Sequence, residues 1–404
     1  TSGHTLTIGG AAVDAGEGGQ WLLDPFDLTV DSSAASTIDS SLGAGTDVTL
    51  QTTASGTSGP GTADAAGNGD ILIESALSWN SGATLTLDAY RGIAIDANIT
   101  VAGSGGVVLK TNDNTDGITS GDYGFGNGAS LSFTGGSGSG ASLSINNTPY
   151  TLLYSMSDVQ NINSALSDHY ALASALDGTS VSWTPIGSQA NPFTGVFEGL
   201  GNTISNLDID ASASSYVGLF GASSGTIRDI GLVGGSVTGN SAVGALAGAN
   251  TGTILNAYST SDVHSDGGAD IGGLVGDNSG AITRAYATGT VVGTGTSNLH
   301  VGGLVGLNFG SGSLTDVYAT GSVTGASAVG GLVGVNSGAT ITNAYATGAV
   351  TAAITAAGGR VAEGENTGTI TNGYYDSDTT GQSHGAQSDG SQGLTTAELT
   401  AALP

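Results

Sequence analysis

The feature that most constrains the fold of this chain is a glycine-rich unit that recurs along its second half. The best-preserved copies read Gly-Gly-Leu-Val-Gly, and looser copies precede and follow them. Successive copies start 26 to 30 residues apart, at positions 218, 244, 272, 302, 330 and 360. A period of this length is typical of a solenoid, in which each repeat buries against its neighbours the apolar surface that it cannot bury alone.

Two further residue types recur at nearly fixed distances from each copy. An asparagine lies six residues after each start from the second copy on, and a glycine follows it by two: Asn250, Asn278, Asn308, Asn336 and Asn366. A tyrosine follows 14 to 16 residues after the start, at Tyr258, Tyr286, Tyr318, Tyr345 and Tyr374. Because Asn and Gly both tolerate left-handed backbone, we expect turns at the asparagines, with amides that hydrogen-bond from coil to coil. Ser327 is expected to be exposed.

The stretches between these positions have the pattern of short strands. We interpret the Gly-Leu-Val-Gly unit as one strand, residues 340–345 as a second, and residues 321–325 as a third. Residues 1–150 lack the strict repeat but place apolar residues two apart, as in Val48-Thr49-Leu50 and Ile71-Leu72-Ile73. Such alternation, interrupted by Gly, Ser, Asn and Asp, indicates strands and turns. The predicted fold class is therefore all-β, a parallel β-solenoid that begins with irregular coils.

One segment departs from the strand pattern. Ser157 is a suitable N-cap, and Val159, Ile162 and Leu166 follow at helical spacing, which predicts a short helix near 157–166 as the only clear helix. We place this helix in a junction, residues 151–210, of the same solenoid. Regular repeat coils follow over 211–376, and residues 377–404 are expected to be a truncated C-terminal segment of a longer chain.

Charge excludes several classes of partner. The chain has 5 Lys and Arg against 33 Asp and Glu, a formal net charge of −28. Five Lys and Arg side chains are too few to bind along a phosphate backbone or to an anionic membrane surface. We therefore expect no nucleic-acid partner. The chain has no cysteine, which excludes disulfides and thiolate chemistry. This acidic, cysteine-free composition favours an extracellular or cell-surface location.

Several segments resemble known protein families. The Gly-Leu-Val-Gly units resemble the GLUG repeats of bacterial surface proteins, and the run from Phe193 to Leu207 looks like the segment that commonly precedes them. Residues 18–30 are similar to a motif of filamentous-haemagglutinin-like exoproteins of two-partner secretion. The resemblance implies a right-handed parallel β-helix, exported through an outer-membrane transporter as part of a longer parent. It also implies an adhesin that attaches to a host or neighbouring cell, to matrix or to glycans.

One string of side chains has the pattern with which a calcium loop begins. Asn112, Asn114 and Asp116 place oxygen ligands at alternate positions, and Gly117 follows. The twelfth position, however, is Tyr123 rather than a bidentate carboxylate. A solvated turn is therefore the favoured interpretation, calcium stays an alternative, and no other cofactor is expected.

Two alternatives to an adhesin arise from the residues themselves. A polysaccharide lyase or hydrolase would need paired carboxylates facing one groove, and the candidates are Glu198, Asp208 and Asp210. Cations that could hold a uronate are few and scattered, so we expect no enzyme activity. A threonine ladder could instead bind ice or a polysaccharide crystal, although the sequence indicates one threonine per repeat: Thr260, Thr288, Thr320 and Thr347.

Overall fold

A computed structural model describes residues 19–23, 27–52, 68–113, 120–126, 128–295, 299–352, 361, 366–383, 385–387 and 390–402. The chain divides into two compact units. Unit 1 contains residues 1–154, 169–175 and 200–202, and unit 2 contains residues 155–168, 176–199 and 203–404. Both units are built from short parallel strands, which confirms the predicted β-solenoid.

The described strands of unit 1 form three sheets, here named A, B and C. Sheet A contains the strands Gln20–Leu23, Asp47–Gln51, Thr84–Asp88, Gly106–Lys110, Ser142–Ile145, Thr148–Leu153 and His169–Leu172. Sheet B contains Leu28–Val30, Ile71–Ile73, Ile93–Ile95 and Tyr123–Phe125. Sheet C contains Leu77–Trp79, Ile99–Val101 and Leu131–Phe133. The described pairings in these sheets are parallel except that of Thr148–Leu153 with Ser142–Ile145, and the alternate apolar residues form the core.

In unit 2 the strands that the structure describes also form three sheets, here named D, E and F. Sheet D contains Leu176–Asp177, Val196–Glu198, Thr203–Ser205, Thr226–Val233, Thr253–Ser259, Ala281–Ala287, Ser313–Ala319, Thr340–Ala346, Thr369–Asp376, Gly385–Ala386 and Ser391–Leu394. Sheet E contains Phe220–Ser223, Ala247–Asn250, Val275–Asn278, Val305–Phe309 and Val333–Ser337. Sheet F contains Asp208–Val217, Ser236–Gly244, Asp262–Ser265, Ile271–Gly272, Val291–Gly293, His300–Gly302, Val323–Gly325, Ala328–Gly330 and Val350–Ala352.

The Gly-Gly-Leu-Val-Gly unit is a corner rather than one strand, which corrects the sequence interpretation. Strand His300–Gly302 of sheet F ends inside the unit, and strand Val305–Phe309 of sheet E begins three residues later. The leucines of successive corners are fully buried, and the backbone N–H of Leu304 donates to the Leu332 carbonyl at 2.8 Å. Parallel pairing from coil to coil therefore continues around the corner.

Coil length varies at the corner between sheets E and D. Eight residues separate Asn278 from Tyr286, whereas ten separate Asn308 from Tyr318. Asn278 nevertheless pairs with Asn308, and Tyr286 pairs with Tyr318. The added residues lie at this corner around Gly310, whose φ of 62° suits a glycine. The registers of both sheets are therefore independent of the length of the corner.

The helices of the described residues are Ser32–Gly43, Met156–Asn161, Ser377–Thr380 and Thr396–Ala402, and a 3₁₀ turn follows the second at Ile162–Ser164. The helix expected near 157–166 therefore begins one residue earlier, capped by Ser155, and is not the only one. The 12-residue helix Ser32–Gly43 was missed because it is rich in serine, a residue that favours caps and turns. It is stabilised by the Asp31 cap and by the buried side chains of Ile38 and Leu42.

A glycine of the corner unit gives a stability prediction. A Cβ on Gly276 would lie 2.5 Å from the carbonyl carbon of Ala242 and 2.6 Å from the Val243 nitrogen, both of them backbone atoms. We expect Gly276→Ala to lower the free energy of unfolding by about 1–3 kcal/mol, the usual cost of overpacking. The measurement is urea unfolding followed by circular dichroism. Gly124→Ala is the control, because nothing lies within 4 Å of that Cβ. Equal losses at the two positions would contradict the packing described here.

Candidate functional site

The repeated asparagines form a continuous ladder inside unit 2. The side-chain Nδ2 of Asn250 donates to Oδ1 of Asn278 at 2.8 Å, and the same bond recurs from Asn278 to Asn308 and from Asn308 to Asn336. A last bond of 3.0 Å joins Asn336 to Asn366. The first four side chains are at most 1% exposed. The amides therefore supply one another's hydrogen bonds in a place that excludes water.

Four of the five amides, those of Asn250, Asn278, Asn336 and Asn366, also hold their own corners. Oδ1 of Asn250 accepts the backbone N–H of Gly252 at 3.2 Å, and Nδ2 of Asn278 donates to the Gly280 carbonyl at 3.1 Å. A buried amide that is bonded in this way rigidifies its surroundings, whereas an unpaired one is costly. The ladder is thus a structural element that holds the corner between sheets E and D.

The repeated tyrosines form a second ladder, on the outer side of sheet D. The rings of Tyr258, Tyr286, Tyr318 and Tyr345 stack at centroid distances of 4.8, 4.6 and 4.8 Å, with interplanar angles of 7°, 6° and 3°. Gly231 holds the equivalent position one coil before Tyr258, and a Cβ there would lie 2.6 Å from the Tyr258 Cε1. Because ring faces are covered by neighbouring rings, the stack turns ring edges outward.

The stack changes the acidity of its phenols. Burial raises the pKa of Tyr258, Tyr318 and Tyr345, and burial together with the flanking phenols raises the pKa of Tyr286 to about 12. The four hydroxyls therefore stay protonated at physiological pH. Each can donate and accept hydrogen bonds, and none contributes charge to the face.

A third row runs along sheet D two residues before the tyrosines, and the sequence analysis missed it. Its members all have left-handed backbone, with φ between 50° and 56°: Asp229, Asn256, Arg284, Asp316, Asn343 and Asn372. Asn256 donates to Asp229 at 2.8 Å, Asn343 to Asp316 at 2.9 Å, and Asn372 to Asn343 at 2.9 Å. The row shares a backbone conformation rather than a residue type, so no motif reveals it.

Sheet D carries more threonine than the one per repeat that the sequence indicated. Thr260, Thr288, Thr320 and Thr347 directly follow the strand region, and all four are at least partly exposed. A second row pairs in register through the strands: Thr283, Thr315, Thr342 and Thr371. A third consists of Ser313, Thr340 and Thr369. The expectation of a single threonine column was wrong because it followed one motif and overlooked the Thr-x-Thr spacing inside the strands.

The three carboxylates considered for catalysis do not share a groove. Glu198 is fully buried, and its Oε1 lies 3.7 Å from the Arg228 guanidinium, which also donates to Asp229 at 2.7 Å. Asp208 and Asp210 are exposed on one side of a strand of sheet F, where Asp208 accepts the Ser236 hydroxyl at 2.8 Å. Glu198 therefore takes part in a buried ionic cluster, and the structure does not bring it together with the other two.

The calcium candidate is only partly described. Asn112 has left-handed backbone with φ of 57°, and its amide bonds Gly121 twice, donating to the carbonyl and accepting from the N–H, both at 2.7 Å. Asn114 and Asp116 lie outside the described residues. Within the described part of the chain, no group of three or more His, Asp or Glu side chains is placed to hold a metal ion.

A cluster of titratable groups that the sequence did not indicate lies where sheets E and F meet. The Asp277 carboxyl lies beside that of Asp270, and Oδ1 of Asp270 lies 2.5 Å from Nδ1 of His300. Burial and the charge of Asp270 raise the pKa of Asp277 to about 8. Burial, and after it the charges of the same two carboxylates, raise the pKa of Tyr216. Asp277 pairs with Ala249 of the preceding coil and with Leu307 of the following coil. Because the equivalent positions of the neighbouring coils are apolar, the sequence repeat does not indicate a carboxylate cluster at Asp277.

Comparisons with known proteins identify the repeated unit. Residues 297–324 and 325–351 match the family model of the GLUG motif. The chain carries GLUG repeats. It is 34% identical over 133 residues to "Halomucin" of Haloquadratum walsbyi, and 33% identical over 137 residues to a "Putative Gly-rich membrane protein" of Evansella cellulosilytica. These matches cover 30% and 31% of this chain but only 2% and 15% of the two relatives.

A solved structure also shows limited similarity. It is described as a "putative immunoglobulin A1 protease" from Bacteroides ovatus, with a TM-score of 0.47 and 21% sequence identity. The match covers 62% of this chain and 85% of that one. Similarity at this level supports no conclusion about activity. Among the described residues, no helix has the length and apolar character needed to cross a bilayer.

The asparagine ladder predicts a position-dependent loss of stability. Asn308→Ala removes bonds to both neighbouring coils and leaves buried amide groups unpaired, so we expect the free energy of unfolding to fall by about 1–3 kcal/mol. Asn366→Ala should cost less, because Asn366 is only half-buried. Urea unfolding measures both. Exposed Ser337→Ala is the control, since Ser327 proves to be bonded to Leu299 in both directions. Negligible loss at Asn308 would contradict the ladder.

The Asp270 and Asp277 pair predicts pH-dependent stability. The pKa of Asp277 rises from 3.8 to about 8 on folding, so the folded state binds more protons and its stability falls as the pH rises between those values. Asp277→Asn removes this titration. We expect the variant to match the wild type near pH 4 and to be more stable above pH 8. Thermal unfolding at several pH values measures it, with exposed Asp210→Asn as control. An unchanged pH profile would be the contrary result.

Proposed function

We propose that this chain is a non-catalytic segment of a secreted, cell-surface-associated adhesin. The observation that carries the proposal is the outer side of sheet D, where successive coils present tyrosine and threonine hydroxyls at one strand spacing, with few charged side chains among them. A surface of this kind offers many equivalent weak contacts, and weak contacts that act together give strong attachment. The carboxylates that could have served catalysis are instead buried in an ionic cluster or exposed on another sheet.

The relatives support a role at the cell surface. One is named "Halomucin" and the other "Putative Gly-rich membrane protein", and both matches are short relative to those proteins. A segment of repeat coils suits a large surface protein because coils add length and display area without a new core. We propose a host or neighbouring cell, matrix or glycan as the partner, with no nucleic acid among the partners and no cofactor.

The route of export forms part of the same proposal. The motif-like run over residues 18–30 supports a filamentous-haemagglutinin-like parent, which would pass through an outer-membrane transporter in two-partner secretion. The absence of cysteine is consistent with this route, because a disulfide formed before passage would obstruct an unfolded chain.

Attachment can be measured directly. Beads coated with the full chain should be retained on cells and on a glycan array, and retention should persist at high salt because the contacts are uncharged. DNA and anionic vesicles should not be retained, since the chain carries a net charge of −28. Beads coated with albumin serve as the control. Absence of retention on every cell type and glycan tested would contradict the adhesin proposal.

A second experiment tests the alternative that the chain is an enzyme rather than an adhesin. Incubation with pectin or alginate should release no reducing ends and no unsaturated products. Release that disappears in Asp208→Asn or Asp210→Asn would show that the exposed pair on sheet F is catalytic. A matched control is Asp262→Asn, which removes another exposed carboxylate of the same sheet.

A further inference from the structure

The outer side of sheet D differs in charge from the rest of the chain. Over the four strands from Thr253 to Ala346, its outward side chains include one carboxylate, Asp316, and one guanidinium, Arg284. The whole chain carries −28. We name this surface the tyrosine face and define it by three rows of side chains: Tyr258, Tyr286, Tyr318 and Tyr345; Asn256, Arg284, Asp316 and Asn343; Thr283, Thr315 and Thr342.

The tyrosine face presents hydrogen-bonding groups at a regular spacing. The stacked rings set that spacing at 4.6–4.8 Å, and the paired strands place the threonine row at the same interval. Because the ring faces cover one another, the partly exposed phenols present ring edges, and each carries one hydroxyl. The raised phenol pKa values keep those hydroxyls uncharged. The face is therefore a neutral, repeating array of donors and acceptors.

We propose that the tyrosine face binds a neutral polysaccharide, whose repeating hydroxyls match the repeating hydroxyls and amides of the coils. This inference rests on the proposed adhesin function and gives it a site and a ligand class. Charge selects against acidic polysaccharides, because the surrounding chain is strongly anionic and Arg284 is the one guanidinium of the face. Ice is a poorer match, because the bulky ring edges lie beside the short threonine side chains of the same strands.

The test uses variants that remove hydroxyl groups and keep the shape of the face. Tyr286→Phe and Tyr318→Phe preserve the ring stack, and Thr315→Val and Thr342→Val preserve β-branched strand residues. The four changes are combined in the full chain. A control chain carries Thr238→Val and Thr324→Val on sheet F, outside the tyrosine face. Far-ultraviolet circular dichroism and thermal unfolding establish that all three proteins are folded.

Binding is measured by co-sedimentation with cellulose, chitin and insoluble β-glucan, with alginate and pectin beads as acidic counterparts. We expect the wild type to bind at least one neutral polysaccharide, the fourfold variant to bind it at least tenfold more weakly, and the control chain to match the wild type. Binding that survives the fourfold change, preference for the acidic beads, or no binding to any neutral polysaccharide would overturn the proposal.

Two further measurements separate this site from the adhesin role and from ice binding. Retention of beads on cells by the fourfold variant at the wild-type level would overturn the tyrosine face as the site and leave the adhesin proposal intact. Thermal hysteresis that the fourfold change abolishes, without polysaccharide binding, would identify ice as the ligand and overturn the neutral polysaccharide.

Discussion

Parallel pairing of each strand with its counterpart one coil away is the constraint on which unit 2 depends. In the repeat region, each position pairs with the equivalent position of the coil before it and of the coil after it. A side chain must therefore be compatible with similar side chains on both sides. For an inward amide this means that Asn278 has to bond Asn250 on one side and Asn308 on the other. A change in one coil therefore leaves unpaired groups in two others, and a buried unpaired group costs about 1–3 kcal/mol.

Outward positions are under weaker constraint, and the chain uses that freedom. The left-handed row of sheet D holds Asn, Arg and Asp in turn, because only the backbone conformation is shared. Asp277 shows that this freedom in residue type is limited. It occupies a column of small and apolar residues and lies beside Asp270, and the raised pKa of about 8 reflects a carboxylate that the surroundings do not accommodate well.

The sequence predicts best those structural features in which one residue type recurs at a fixed position of the repeat. The asparagines at constant offset indicate the inner ladder directly, whereas the Gly-Gly-Leu corner was taken for a strand because glycine occurs both in corners and in close-packed strands. The helix Ser32–Gly43 was missed since its stability comes from the Asp31 cap and from the buried side chains of Ile38 and Leu42 rather than from the helix propensity of its residues. Asp270 and His300 come together only through the stacking of coils, which no local pattern encodes.

The corner between sheets E and D has a consequence for how such a chain can change. Two extra residues around Gly310 leave both the amide ladder and the ring stack in register. A longer loop at this corner therefore leaves the geometry of sheets E and D unchanged. Insertions here can vary the rim of the tyrosine face between otherwise equivalent coils, so that one scaffold can present different recognition loops without any adjustment of its interior.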